Sequence, residues 1–322
     1  MTRSGTVLRV PPLSKQLHEA LAASYDVLDL PSEGRAAFLT AHGGDVVAVA
    51  CTNSGRVDAD LIGALPQLKV VVNQGVGYEN VDVGACLARG ILVSHTPDVL
   101  DDAVAETTLG LLIAARRRLV EADAFVREGR WADGSFPLTG QVSGSRVGIL
   151  GLGRIGRRIA GVLEALGCEI GYHNRRPVPE VPYAYAGSPV ELAAAVDNLV
   201  VVVPGGSATA ALVDREVLDA LGPGGVLVNV ARGSVVDEPA LIAALQEGRL
   251  GAAGLDVYAE EPHVPEALRA LGNVVLLPHV GSATVRTRTA MADLTLANLA
   301  LWWESGRLQT PVPEMAAPDE DQ

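Results

Sequence analysis

Lysine is almost absent from this 322-residue chain, with Lys15 and Lys69 as its whole supply. Local positive potential must come almost wholly from arginine, so clustered arginines carry more meaning here than usual. The formal net charge of −13 argues against nucleic acid as a partner, because that affinity comes from neutralising phosphates. Cysteine is scarce as well. Cys51, Cys86 and Cys168 lie far apart and form neither a CxxC pair nor a disulfide framework. That usage suits a reducing, cytoplasmic setting, with each thiol a small buried filler. No window approaches the roughly 20 apolar residues that span a bilayer, and Met1–Pro12 lacks the apolar core of a signal peptide, so no membrane partner is expected. His18, His42, His95, His173 and His263 show no metal-ligand spacing, and no zinc site is expected. Repeats and low-complexity tracts are lacking too.

What remains is an alternation of short apolar runs with helical stretches, the pattern of parallel α/β folds. Expected strands in the first part are Thr6–Val10, Asp26–Leu30, Asp45–Ala50, Lys69–Asn73 and Ile91–Ser94, with helices at Leu13–Ala23 and Val57–Leu65. Asp101 is an expected N-cap for a long helix running to about Gly129. A second series begins at Val147, with strands at Glu169–His173, Leu199–Val203, Val226–Asn229, Gly251–Leu255 and Val274–Leu277. A closing helix is expected from about Ala283 to Glu304, and a Pro-rich, acidic, frayed tail from Pro311 to Gln322. Arg116-Arg117-Arg118 reads as a solvated helix face.

The second series opens on its most informative segment. A buried strand through Leu150 leads into Gly151-Leu152-Gly153-Arg154-Ile155-Gly156 and a helix through Leu166. Alone, G-x-G-x-x-G is common; inside one strand–helix–strand unit it signals a dinucleotide site. Gly151 permits the tight turn, Gly153 lets a pyrophosphate approach the main chain, and Gly156 allows close helix–strand packing. The helix N-terminus offers N–H groups and partial positive charge. The end of the next strand chooses between cofactors. A site for NAD(H) wants an acid roughly 20 residues beyond the glycines. Here Asn174, Arg175 and Arg176 stand there instead. Guanidinium groups take a 2′-phosphate through paired, charge-assisted bonds that an acid would repel. NADP(H) is therefore the expected cofactor, with NAD(H) the alternative.

Arg232, Glu261 and His279 each directly follow an expected strand. All three fall on the carboxyl edge of the sheet, where such folds bind ligands. A fixed cation, a carboxylate and an imidazole beside a nicotinamide make a hydride-transfer constellation. Their contexts are Asn229–Asp237, Gly254–Pro262 and Leu277–Thr284. Together with the loop Asn73–Asp82 and the run Glu106–Gly110, these segments resemble the D-isomer-specific 2-hydroxyacid dehydrogenase family over nearly the whole chain. The chain length and the Asn-Arg-Arg turn point within it to glyoxylate/hydroxypyruvate reductases. Formate dehydrogenases of the superfamily carry glutamine where Glu261 stands, which disfavours that chemistry.

The resemblance implies two Rossmann-like/flavodoxin-like parallel-sheet domains linked by two long helices. Residues 1–100 plus 285–322 would form the substrate-binding domain, and 101–284 the dinucleotide-binding domain. It implies roles as well. His279 would be the general acid in reduction. An ordinary imidazole titrates near pH ~6.5, and Glu261 would hold the ring and favour its protonated form. Arg232 would grip the substrate carboxylate and polarise the keto oxygen, with the N–H groups of Val76 and Gly77 completing the cradle. Asp256 and the Val230 carbonyl would hold the nicotinamide carboxamide, although an Asp after a strand often only caps a turn. Further cofactor positions by resemblance are Thr107, Arg154, Ile155 and Pro204, and also Thr209, Ala231 and Gly281, with Arg232 and His279 touching cofactor too. Related reductases are homodimers in which an arm reaches across. Phe136, in the segment Trp131–Gly140, is the best match for an aromatic entering the partner's site, where better-known relatives carry tryptophan. Packing beneath its own loop is the other reading.

The expected substrates are small 2-keto acids, glyoxylate and hydroxypyruvate, giving glycolate and D-glycerate. The alternatives are an NAD-linked dehydrogenase of another D-2-hydroxyacid, such as lactate or phosphoglycerate, and a non-enzymatic NAD(H)-sensing adaptor on the same fold.

Overall fold

A computed structural model describes residues 5–315. The chain divides into two compact units, Met1–Leu100 with Thr284–Gln322, and Asp101–Ala283. The chain passes between them twice.

The first unit is built on β1 (Thr6–Arg9), β2 (Asp26–Asp29), β3 (Val46–Thr52), β4 (Val70–Gln74) and β5 (Leu92–Ser94). All pairings are parallel, in the order β2-β1-β3-β4-β5, the flavodoxin-like winding. Both faces are covered, which is why β3 and β4 read as nearly unbroken apolar runs. Leu8, Val49 and Val71 point to one core. Val7, Ala48, Val70 and Val72 point to the other, against Ala292 and Leu299 of the helix Val285–Ser305. That helix starts at the Thr284 N-cap and stops at Gly306, whose φ of 70° suits a residue without a Cβ.

The second unit holds β6 (Arg146–Leu150), β7 (Glu169–His173), β8 (Ala184–Tyr185), β9 (Asn198–Val201), β10 (Val226–Asn229), β11 (Ala252–Leu255) and β12 (Val274–Leu276). Their order is β12-β11-β10-β9-β6-β7-β8, again all parallel. The winding reverses between β6 and β9, so the carboxyl ends of those strands form the switch point where such sheets take ligands. Leu150, Val201, Leu227 and Leu255 fill one face. Val147, Ile149, Val200 and Val228 fill the other, beneath Leu111, Leu112 and Leu163 of the helices Asp101–Arg116 and Arg154–Glu164.

Three sequence expectations are corrected. The helix from Asp101 does not run to Gly129. It ends at Arg116 and restarts as Leu119–Arg127, with Arg118 at φ 51° between them. The three arginines are only partly a solvated face: Arg117 is exposed, whereas Arg116 and Arg118 are half-buried. Arg116 Nη1 donates to the Gly224 carbonyl, Arg117 Nε to Thr139 Oγ1, and Arg118 forms a two-pronged pair with Glu121. The tail is the third correction. Ser94 pairs with Pro311, Val312 is fully buried, and Pro313–Met315 forms a 3-10 turn. The rest of the expected tail, 316–322, lies outside the described residues. The three cysteines are buried and unpaired, and burial pushes Cys51 up to about 12 and Cys86 up to about 11, so neither offers a thiolate. Among the described residues no helix is long and apolar enough to cross a membrane, and no cluster of His, Cys, Asp and Glu could hold a metal ion.

Candidate active site

The glycine loop sits between β6 and the helix Arg154–Glu164. Gly151 has φ 107°, and a Cβ there would lie 2.9 Å from the Val203 backbone nitrogen. A Cβ on Gly156 would stand 2.2 Å from the Gly151 carbonyl oxygen, so helix and loop touch only because residue 156 is glycine. Gly153 differs: nothing lies within 4 Å of its Cβ position. Open space over the middle glycine is what a close-lying pyrophosphate requires. Gly153 is also the helix N-cap, and no side chain caps that end. Helix dipole and main chain are thus presented to an anion. These residues fit a dinucleotide.

Twenty-odd residues on, Asn174 closes the loop from the other side. Its Oδ1 accepts the Leu152 N–H at 2.6 Å. With the oxygen engaged, the amide nitrogen is the group left to face outward, a donor where an acid would be an acceptor. Arg175 and Arg176 follow, both exposed.

Three more carboxyl-edge loops carry Arg232, Glu261 and His279, and main-chain bonds stitch them together. The Asp256 N–H donates to the Asn229 carbonyl at 3.0 Å, and the His279 N–H donates to the Asp256 carbonyl at 2.9 Å. Within the first loop, Asn229 braces both ends: its amide donates to the Arg232 carbonyl, and its oxygen accepts the Ala231 N–H. Gly233 lets that loop lie against the next, since a Cβ there would be 1.9 Å from the Tyr258 carbonyl.

His279 Nδ1 lies 2.7 Å from Glu261 Oε2. Glu261, rather than its neighbour Glu260, reaches the ring. Its other oxygen accepts the Tyr258 N–H at 3.1 Å. Partial burial pushes the Glu261 carboxyl upward, but the hydrogen bond and charge of His279, the Tyr258 N–H and the Arg232 charge outweigh it and hold Glu261 below its ordinary value. Such a carboxylate contributes stability at pH values above its unfolded range and loses it as pH falls through the folded value. His279 has φ 54°, a left-handed conformation costly for a side chain with a Cβ. The following N–H groups of Val280 and Gly281 donate to the two Asp256 oxygens at 2.7 Å each, and this grip holds the turn.

Asp256 is thereby found organising the His279 turn, the capping role, and it is buried. Burial raises its carboxyl above the ordinary value, against the opposing pull of the Val280 and Gly281 N–H groups. Thr107 Oγ1 donates to the Gly281 carbonyl at 3.4 Å, and Thr209 Oγ1 to the Pro204 carbonyl at 2.7 Å. Arg154 stands 3.7 Å from Asp101, and Ile155 and Val230 pack on the core. In the first unit, Val76 and Gly77 follow β4. Asn73 Nδ2 donates to the Gly77 carbonyl at 2.9 Å, and His95 Nδ1 lies 3.0 Å from the Val76 carbonyl. His95 therefore braces this loop.

Within its own chain, the Phe136 ring packs edge-on against Phe125 at 5.4 Å, with the Arg118 guanidinium 5.2 Å from its centre. Leu138, two residues on, is 100% exposed.

Sequence reading passed over Asn229, Gly233 and Tyr258, which hold the reactive groups without being reactive. The Tyr258 hydroxyl donates to the Leu277 carbonyl at 2.8 Å and so joins the Glu261 and His279 loops. All three lie within the motif segments, and their residue types alone did not announce a bracing role.

Comparison with known proteins identifies relatives of the chain. The profile described as "D-isomer specific 2-hydroxyacid dehydrogenase, NAD binding domain" matches residues 109–281. The chain is 48% identical over 307 residues to a glyoxylate/hydroxypyruvate reductase A of Arabidopsis thaliana, covering 95% of this chain and 98% of that one. It is 47% identical over 307 residues to a hydroxyphenylpyruvate reductase of Plectranthus scutellarioides, with the same coverage. Among solved structures it is similar to an NADPH-dependent glyoxylate/hydroxypyruvate reductase of Sinorhizobium meliloti in complex with NADP and malonate. The TM-score is 0.91, with 46% identity and 97% of each chain covered.

Proposed function

The chain belongs to the D-isomer-specific 2-hydroxyacid dehydrogenase family, and on that premise we propose that it is an NADPH-preferring reductase of short 2-keto acids, glyoxylate and hydroxypyruvate foremost. The observation that carries this reading is the 2.7 Å His279–Glu261 pair, on the same sheet edge as the glycine loop and under the charge of Arg232.

When bound, the cofactor supplies the hydride; the chain's own residues do the rest. Nδ1 of His279 is engaged by Glu261, so Nε2 is the nitrogen that gives a proton to the keto oxygen as the carbonyl carbon is reduced. The imidazole then recovers its proton from water. Arg232 binds the substrate carboxylate and draws charge toward the developing alkoxide. Arg175 and Arg176 take the 2′-phosphate, and Gly153 with the helix behind it takes the pyrophosphate. In this reading residues 101–284 hold the dinucleotide. Residues 1–100 with 285–322 serve the substrate, the Val76 and Gly77 N–H groups taking a carboxylate.

A bulkier substrate is the second reading, favoured by the hydroxyphenylpyruvate reductase at 47% identity. Steady-state rates with glyoxylate, hydroxypyruvate, 4-hydroxyphenylpyruvate, pyruvate and phosphohydroxypyruvate, each with NADPH and NADH, separate these cases. The expected outcome is the highest kcat/KM with NADPH and a two- or three-carbon keto acid. Preference for the aromatic acid would select the second reading. No turnover with any of them would leave an adaptor.

Exposed apolar side chains on the Leu119–Arg127 helix and the segment after it support a homodimer: Val120 is 59% exposed, Val126 55% and Trp131 68%. Exposed apolar surface of this kind is what an interface between copies would cover. Sedimentation at twice the chain mass is expected, and a monomer at micromolar concentration would reject it. The buried, unpaired cysteines support a cytoplasmic setting.

A further inference from the structure

We propose that Tyr185 is a positioning residue for cofactor choice: its hydroxyl fixes the Asn174–Arg176 turn in the conformation that receives a 2′-phosphate. The inference rests on the NADPH reading above and deepens it.

Tyr185 ends the two-residue strand β8 at the edge of the seven-stranded sheet. Its hydroxyl donates to the Asn174 carbonyl at 3.2 Å. Its ring is held from below, 5.4 Å from Tyr172 and stacked on His173 at 6.1 Å and 21°. His173 is itself anchored, its Nδ1 lying 2.8 Å from the Ala186 carbonyl. Tyr185 is 40% exposed, and these contacts hold one side of its ring so that the hydroxyl meets the turn. From the opposite side Asn174 Oδ1 is tied to the Leu152 N–H. Asn174 is therefore clamped twice, through its side chain to the glycine loop and through its main chain to Tyr185.

The two residues that follow this clamp are the exposed arginines, and Pro177 follows them with its own φ fixed. A long guanidinium side chain loses much rotamer freedom on binding. A wandering backbone beneath it would add to that loss, whereas a fixed one confines it to the side chains. Losing the Tyr185 hydroxyl releases the Asn174 carbonyl and lets the turn wander. Only a ligand that calls on both arginines should register this. NADH, whose ribose carries no 2′-phosphate, should not.

The test is Tyr185→Phe, which removes one oxygen and keeps the ring. Dissociation constants for NADPH and NADH are read by quenching of nucleotide fluorescence, with Tm and kcat at saturating NADPH alongside. The expected result is NADPH binding weaker by about 3- to 10-fold, the scale of one hydrogen bond, with NADH within about 2-fold and Tm and kcat unchanged. Unchanged NADPH binding, or equal weakening of both nucleotides, overturns the role given to Tyr185. The double variant Arg175→Ala/Arg176→Ala, measured in parallel, separates the two levels of the inference. It should lose NADPH by at least about 30-fold, two charge-assisted contacts, while keeping NADH. If it discriminates as expected and Tyr185→Phe behaves as wild type, the hydroxyl alone is discarded. If wild type binds both nucleotides equally and the double variant changes neither, the NADPH reading falls and Tyr185 with it.

Discussion

His279→Ala is expected to lower kcat for keto-acid reduction by about 10²- to 10⁴-fold, the range a positioned general acid supplies, while NADPH binds nearly as before. The split follows from the geometry. The imidazole is held at Nδ1 by Glu261, and its backbone is pinned through Asp256 in a left-handed turn. On the proposed reading, that investment orients one nitrogen for proton delivery, and nucleotide affinity is assigned to the glycine loop and the arginine turn. Stopped-flow turnover beside a fluorescence binding titration checks both halves. Near-wild-type kcat in the variant would mean that the proton comes from elsewhere. The companion change, Glu261→Gln, keeps the shape and removes the charge. Removing that charge weakens the hold on the ring, so kcat should fall while NADPH binding is kept. In the wild type, Glu261 is held below its ordinary value, so its carboxylate keeps its charge into the acid range. An unchanged kcat in the glutamine variant would deny the carboxylate its orienting role.

Gly233→Ala is expected to be nearly as damaging, although residue 233 touches neither substrate nor proton. Its Cβ would come 1.9 Å from the Tyr258 carbonyl carbon and oxygen and 2.4 Å from the Ala259 nitrogen. All three are main-chain atoms, so no rotamer change relieves the contact. One of two loops must move. One carries Arg232 and the other carries Glu261 through the Tyr258 N–H. Overpacking of this kind costs about 1–3 kcal/mol, visible as a lower Tm. A shift of 1 Å between reacting groups costs about 10²-fold in rate, so kcat/KM should fall by at least that much. Wild-type Tm and turnover together would show that the two loops can part without consequence.

Much of this molecule could be read from its residues, and the reasons for success and failure are physical. The apolar runs of β3, β4 and β10 are long and covered on both faces, so pattern alone located them. The strand β8 has two exposed residues and leaves no periodic trace, so Tyr185 went unnoticed. The break after Arg116 carries neither Pro nor Gly. It rests on Arg118 in a left-handed conformation, paired with Glu121, a tertiary solution that local propensity does not encode. Arg232, Glu261 and His279 stood out because charged groups after buried strands are conspicuous. Asn229 and Gly233 did not, because a brace and a gap have no charge to announce them. Phe136 was singled out by resemblance, with packing beneath its own loop as the other reading, and within one chain its ring rests on Phe125 and Arg118.

The main-chain relay from Asn229 through Asp256 to His279 has a practical bearing on redesign. Peptide amides are the same whichever side chain they carry, so this relay survives most substitutions in the loops it joins. Insertions and deletions are another matter, because changing the length of any one loop slips the register of all three. A library that seeks new keto acids should therefore randomise side chains at constant loop length and leave the spacing untouched.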